Sequence, residues 1–277
     1  AMANNSILQI VVFSVFFGIG LAALGERGRG LIGVIDQVAH VMLKVTAYVM
    51  WTAPAAVLAA VAATITTEGL GILGTYGKFI GGYYVALLVL WAVLLGLGAM
   101  VIGPRVRALV SMIREPLLLA FSTASSEAAY PKTLEQLERF GVSPRIASFV
   151  LPLGYSFNLD GSMMYCTFAT LFIAQAYGID LSGTQLITLL LLLLVTSKGI
   201  AGVPRASLVV LAATLPHFGI PDAGLLLVLA VDQFLDMGRS ATNVVGNSIA
   251  SSVVAKWEGE LSDPQSVAGP VEPAGVG

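Results

Sequence analysis

The chain is 277 residues long, 57% hydrophobic and 11% charged, with a net charge of −2 and a mean hydropathy of +0.88. Soluble domains carry about a quarter charged residues and disorder needs low hydrophobicity with high charge, so both are excluded, and a near-neutral chain carries no nucleic-acid footprint. One cysteine, Cys166, and two histidines, His40 and His217, exclude an internal disulfide framework, a cysteine zinc knuckle and a histidine-rich metal site, which leaves an integral membrane protein of one body.

About 20 apolar residues cross the hydrocarbon core. Ile7 to Leu24, Val45 to Thr66 and Ile80 to Gly103 meet that length. The first lacks a basic flank and a small-residue cleavage site, so it reads as a span, not a signal peptide. Beyond residue 103 the runs shorten to Pro116–Ser126, Ile146–Leu159, Leu186–Ser197, Ala206–Pro221 and Ala223–Val231. Irregular backbone at membrane depth survives only inside protein or along a cavity. Paired short segments broken by Gly and Pro are the material of half-helix transporter sites.

The loop cations orient this layout. With the C-terminus cytoplasmic, nine of them (Arg27, Arg29, Arg105, Arg107, Arg114, Lys132, Arg139, Arg145, Lys256) fall inside and one, Lys78, outside. Cationic loops stay cytoplasmic. The bias holds only if 116–131 is a hairpin entering from the cytoplasm and 186–216 one entering from outside. Residues 259–277 read as a flexible tail.

Glu127, Asp160, Lys198, Arg205, Asp232, Asp236 and Arg239 lie inside the apolar part. Each costs about 3 kcal/mol or more unless paired or facing a wet cavity. Asp232, Asp236, Arg239, Asn243 and Asn247 are spaced 4, 3, 4 and 4 apart, which puts them on one helix face, with Ser240 beside it. An Arg fork grips a carboxylate and an Asp one turn away holds an ammonium, which suits an anionic amino acid. The plain alternative is an internal Asp236–Arg239 pair. Gly154 to Ser162 (GYSFNLDGS) interrupts a second apolar run, offering free carbonyls and the hard oxygens of Asp160 to a cation. Two polar tips, 122–127 and 199–205, sit between apolar arms, where half-helix N-termini attract anions. Burial of Glu127 at the first tip would favour its neutral form, making it the candidate proton carrier. An intramembrane hydrolase using Ser125 or Ser126 would need a base, and neither histidine is spaced to be one.

Four segments carry a resemblance: STASSEAAYPK (122–132), PLGYSFNLDGS (152–162), TSKGIAGVP (196–204) and DQFLDMGRSATNVVGN (232–247). In order and spacing they resemble the dicarboxylate/amino acid:cation symporters, and among these the proton-coupled glutamate/aspartate carriers. The resemblance implies an all-α integral membrane fold of elevator type, working as a homotrimer in the inner membrane. It implies scaffold helices over 1–66 and a transport domain over 79–258. That domain comprises hairpin 1 (106–139), a broken helix (144–177), hairpin 2 (181–216) and a polar last helix (221–258). The family's first three helices would precede residue 1.

Carried onto this chain, the resemblance implies that Arg239 holds the substrate side-chain carboxylate and Asp236 its ammonium. Asn243, Ser125, Ser126, Gly202 and Val203 would surround the α-carboxylate, with Ser162 and Ser240 assisting. Cations would fall on Gly154, Ser156, Asn158, Asp160, Asn243 and Asn247. No cofactor is implied; the coupling cation would be H+, with Na+ as the alternative. Asn247 stands where sodium-coupled members carry Asp, Ala124 and Met237 stand where other branches place an extra Arg, and Arg205 stands where Gly is usual. The rival substrate class is C4-dicarboxylates, against which Asp236 argues, since such a substrate has no ammonium to meet it.

Overall fold

The computed structural model describes residues 7–52, 69–197 and 205–264, with a few scattered positions between 53 and 68. Among the described residues the chain is helical. The helices are α1 (Ile7–Ala23), α2 (Arg29–Met50), α3 (Ile72–Ile102), α4 (Val106–Met112), α5 (Arg114–Thr123), α6 (Tyr130–Phe140), α7 (Pro144–Phe157), α8 (Asp160–Ala176), α9 (Gly183–Thr196), α10 (Ala206–Thr214), α11 (Leu225–Leu229) and α12 (Asp232–Trp257).

One helical stretch among the described residues, Ile72–Met112, is long and apolar enough to cross a membrane. The expected span from Val45 to Thr66 is not continuous: α2 stops at Met50 and Trp51–Thr52 form a turn. Pro54 follows in the sequence and, lacking an N–H, cannot bond the carbonyl of Met50, the residue four back. The third expected span starts earlier, at Ile72, and ends where Gly103 takes φ 63°, a conformation cheap only for glycine, ahead of Pro104. A second interruption falls at Ile113, between α4 and α5. Pro116 explains it: lacking an N–H, it cannot bond the carbonyl of Met112, the residue four back and the last of α4.

α12 is the hub. It packs on α3, α5, α7 and α8, and every residue from Gly238 to Ile249 is buried. A helix buried all round is a core element. One apolar core gathers Tyr83, Leu87, Tyr165, Leu193, Leu211 and Leu235. A second gathers Ile113, Leu137, Phe140, Leu151, Val245 and Ile249. Asp236, Arg239 and Asn243 of α12 lie between Leu235 of the first core and Val245 of the second. Side-chain hydrogen bonds fix α3 against it: Tyr83 Oη donates to the Leu235 carbonyl (3.1 Å), Tyr84 Oη to Phe234 (2.7 Å) and Trp91 Nε1 to Thr242 Oγ1 (2.8 Å). The outward faces stay apolar, as at Phe16, Val85, Leu88 and Ile187, which is the surface a lipid-facing helix presents.

The start of the expected flexible tail, 259–264, is ordered. Leu261 pairs with Val142 in an antiparallel bridge. Ser262 N donates to the Gly141 carbonyl (2.8 Å), and Ser143 N donates to that of Glu260 (3.2 Å). Arg145 pairs with Glu260 at 2.9 Å, and Arg105 pairs with Asp263. Exposed ion pairs contribute about 0–1 kcal/mol each, so the backbone bridge and the packing of Val142 and Leu261 carry the strap. Residues 265–277 lie outside the described part.

Candidate substrate and cation site

The five residues of the polar stripe are all buried on α12. Arg239, 0% exposed, donates from Nε to Asp236 Oδ1 (2.5 Å), from Nη1 to Ser162 Oγ (3.3 Å), and from Nη2 to Ser240 Oγ (3.3 Å) and the Ala124 carbonyl (3.5 Å). The internal Asp236–Arg239 pair is thus formed, and it faces the first polar tip and α8 together. Asp236 Oδ2 accepts from the backbone N–H of Arg205 at 2.8 Å. One turn away, Asp232 Oδ1 accepts from Tyr165 Oη (2.5 Å) and Oδ2 lies 3.3 Å from Arg205 Nε.

Among the described residues, the non-glycine positions with positive φ are Ala124 (51°) and Arg205 (64°). Left-handed backbone costs such residues about 1–3 kcal/mol and persists where the surroundings over-determine it, often at functional sites. Both positions touch the Asp236–Arg239 pair. At Ala124, the end of α5 is turned so that its carbonyl meets the guanidinium. At Arg205, the start of α10 is turned so that its N–H meets the carboxylate.

A second group lies one turn further along α12. Asn243 Oδ1 accepts from Gly161 N (2.9 Å) and its Nδ2 donates to Ser162 Oγ (3.4 Å). Asn247 Oδ1 accepts from Asn158 Nδ2 (3.3 Å). These contacts exist because α7 stops at Phe157 and α8 starts at Asp160, leaving Asn158 and Leu159 non-helical. Gly246 lets the Asp160 carboxylate come close: a Cβ there would stand 2.1 Å from Asp160 Oδ2. Gly154 does the same for Asn247, with 2.3 Å to Oδ1. Asn158, Asp160, Asn243, Asn247 and Gly154 therefore converge, whereas Ser156 does not join them. Ser156 is exposed and its hydroxyl turns back to the Pro152 carbonyl (3.3 Å).

At the first tip, Ser126 is fully buried and its hydroxyl has no hydrogen-bond partner among the described residues, while its carbonyl accepts from Tyr155 Oη (2.9 Å). The Ser125 hydroxyl caps the turn instead, accepting from Ala128 N at 3.2 Å. Glu127, at the same tip, is half-buried. Gly202 and Val203, with the rest of 198–204, lie outside the described residues. Tyr165 and the side chain of Arg205 were not among the expected site residues. Tyr165 follows Ser162 by three positions on α8, a same-face spacing that could have signalled it.

A model of the sodium:dicarboxylate symporter family matches residues 1–257. The chain belongs to that family. It is 46% identical to the proton/glutamate-aspartate symporter of Escherichia coli K12, over 97% of this chain and 62% of that protein. It is 43% identical to the proton/sodium-glutamate symport protein of Bacillus subtilis, over 94% and 60%. A C4-dicarboxylate transport protein of B. subtilis is 40% identical, over 96% and 64%. The chain thus spans roughly three fifths of these relatives' length. The family is one of transporters, not enzymes.

In this symporter-family chain the tight fit of α8 on α12 is testable. A Cβ on Gly161 would fall 2.1 Å from the Arg239 carbonyl oxygen, which is backbone and cannot swing aside. Overpacking of this kind costs about 1–3 kcal/mol. Gly161→Ala should lower the melting temperature of the purified protein, as read by thermal unfolding. An unchanged melting curve would mean that α8 and α12 are not held this closely.

Proposed function

We propose that the chain is the larger part of a secondary active symporter that carries glutamate or aspartate with a coupling cation across the inner membrane. In this reading 79–258 is a transport domain that slides past the 1–66 helices of a homotrimer in an elevator motion. Its parts are the re-entrant hairpins (106–139 and 181–216), the broken helix (144–177) and the polar last helix (221–258). The carrying observation is the buried Asp236–Arg239 pair held between two left-handed turns. It offers a guanidinium fork for a side-chain carboxylate, and beside it a carboxylate for an ammonium. Ser126, Ser162, Ser240 and Asn243 supply polar atoms around that pair, with Gly202 and Val203 contributing from the second tip. A proton on Glu127 is the coupling cation in this reading; the oxygens of Asn158, Asp160, Asn243 and Asn247, which suit a hard cation, would hold Na+ in the alternative.

A mechanism follows from the charges. Substrate carboxylate competes for Arg239 while its ammonium takes over Asp236, so the internal pair opens and both partners stay compensated. Opening and refolding of the two tips around the filled site would then expose it to alternate sides. C4-dicarboxylate carriage is the second reading, favoured by relatives of that name at 40–44% identity.

Proteoliposomes of the full-length carrier test this with labelled glutamate, aspartate and succinate under imposed proton or sodium gradients. Uptake of the amino acids should follow a proton gradient without sodium. Glu127→Gln should abolish that dependence while exchange of bound substrate persists. Strict sodium dependence would refute proton coupling, and intact proton dependence in the variant would move the proton to Asp160, Asp232 or a segment outside this chain.

A further inference from the structure

The guanidinium of Arg205 and the carboxylate it meets, Asp232, are not substrate contacts in the reading above. The backbone N–H of Arg205 is bound to Asp236 Oδ2, which fixes the residue beside the Asp236–Arg239 pair. Its side chain, 17% exposed, points one turn along α12 to Asp232, which is 0% exposed. The two groups lie 3.3 Å apart, yet among the described residues neither Arg205 Nε nor Asp232 Oδ2 makes a hydrogen bond, so the contact between them is one of charge. Arg205 also holds φ 64°, where glycine would sit without strain. A merely structural turn would favour glycine; arginine here carries the strain of that backbone.

Counting formal charges, Asp232, Asp236, Arg239 and Arg205 sum to zero. Without Arg205 the cluster would carry one net negative charge next to the anion site. That matters unequally for the two substrate classes. Glutamate and aspartate bring a net charge of −1, succinate a net charge of −2. In a water-poor site the loss of one fixed cation weakens a ligand in proportion to its charge. We infer that Arg205 is a specificity-determining residue: its guanidinium, set on Asp232, supplies the second fixed positive charge that lets the site accept a dicarboxylate lacking an amino group beside acidic amino acids. This rests on the symporter reading above.

The test is competition by unlabelled succinate and aspartate against labelled aspartate, with the full-length carrier in proteoliposomes. Arg205→Gly suits it because glycine keeps the N–H to Asp236 and relieves the backbone. If aspartate affinity falls about tenfold in this variant, succinate affinity should fall about a hundredfold, the doubled charge doubling the free energy. Arg205→Lys should keep the wild-type ratio. Adding Asp232→Asn to Arg205→Gly restores the charge sum and should return the ratio towards wild type. Equal losses for both ligands, or no loss, would overturn the assignment, since an anchoring role alone does not discriminate by ligand charge. Wild-type carrier that takes aspartate but no succinate would overturn it too, leaving the amino-acid reading intact. Wild-type carrier that takes neither would overturn the symporter reading itself.

Discussion

Arg239→Ala is expected to abolish binding of acidic substrates by the full-length carrier. Arg239 is fully buried, and its three nitrogens reach Asp236, Ser162, Ser240 and the Ala124 carbonyl at once. Removing one partner of a buried charge pair costs about 3–5 kcal/mol, so affinity for glutamate and aspartate should drop by several hundredfold or more. Arg239→Lys separates charge from geometry. It keeps the positive charge that compensates Asp236 but loses the planar fork, so it should fold and bind weakly. Isothermal titration together with a melting curve reads both effects. Unchanged glutamate affinity in Arg239→Ala would remove Arg239 from the substrate site.

Asp236→Asn is expected to act with the opposite selectivity. The amide keeps an oxygen for the Arg205 N–H and keeps the volume, so the turn at the start of α10 stays held. It loses the charge that would meet a substrate ammonium. Aspartate and glutamate should weaken by about a hundredfold, at the lower end of the cost of uncompensating a buried charge. Succinate has no ammonium and should change by about tenfold or less, with the sign of the change favouring the dianion. Together with Arg205→Gly, which should hurt succinate more, this forms a pair of variants that move the aspartate-to-succinate ratio in opposite directions. Parallel losses for all three ligands in Asp236→Asn would make Asp236 a structural partner of Arg239 and nothing more.

The polar stripe shows why part of the site was legible before folding. Asp232, Asp236, Arg239, Asn243 and Asn247 are local: helix geometry alone aligns residues three and four apart, and their presence in an apolar chain already demands partners. The break at Asn158–Leu159 was legible for a similar reason, because Gly, Ser, Asn and Asp compete with helical hydrogen bonding. Ser156 marks the limit of that reasoning. It belongs to the same motif, but it is exposed and its hydroxyl bonds back to the Pro152 carbonyl of its own helix. Its neighbours Gly154 and Asn158 face α12 instead. The α2 boundary was missed because an apolar window averages over Trp51, Thr52 and Pro54, and a single proline outweighs the hydropathy around it.

Composition and spacing by themselves pointed to an integral membrane protein with one polar helix face, since hydrophobicity and helical period are properties of local sequence; the all-α fold was implied by the resemblance. Which groups face that stripe was decided only in three dimensions. Nothing in spacing joins Ala124 or Arg205 to α12, and the spacing of Tyr165 ties it only to Ser162 on its own helix. Ala124 and Tyr165 lie 115 and 67 positions from their partners there, and Arg205 lies 31 from Asp236. They meet because two apolar cores close on either side of residues 236–243 and force the ends of α5 and α10 into left-handed turns over the buried charges. The apolar packing sets where those charges end up, and the need to compensate each of them once water is excluded sets which groups must turn to meet them.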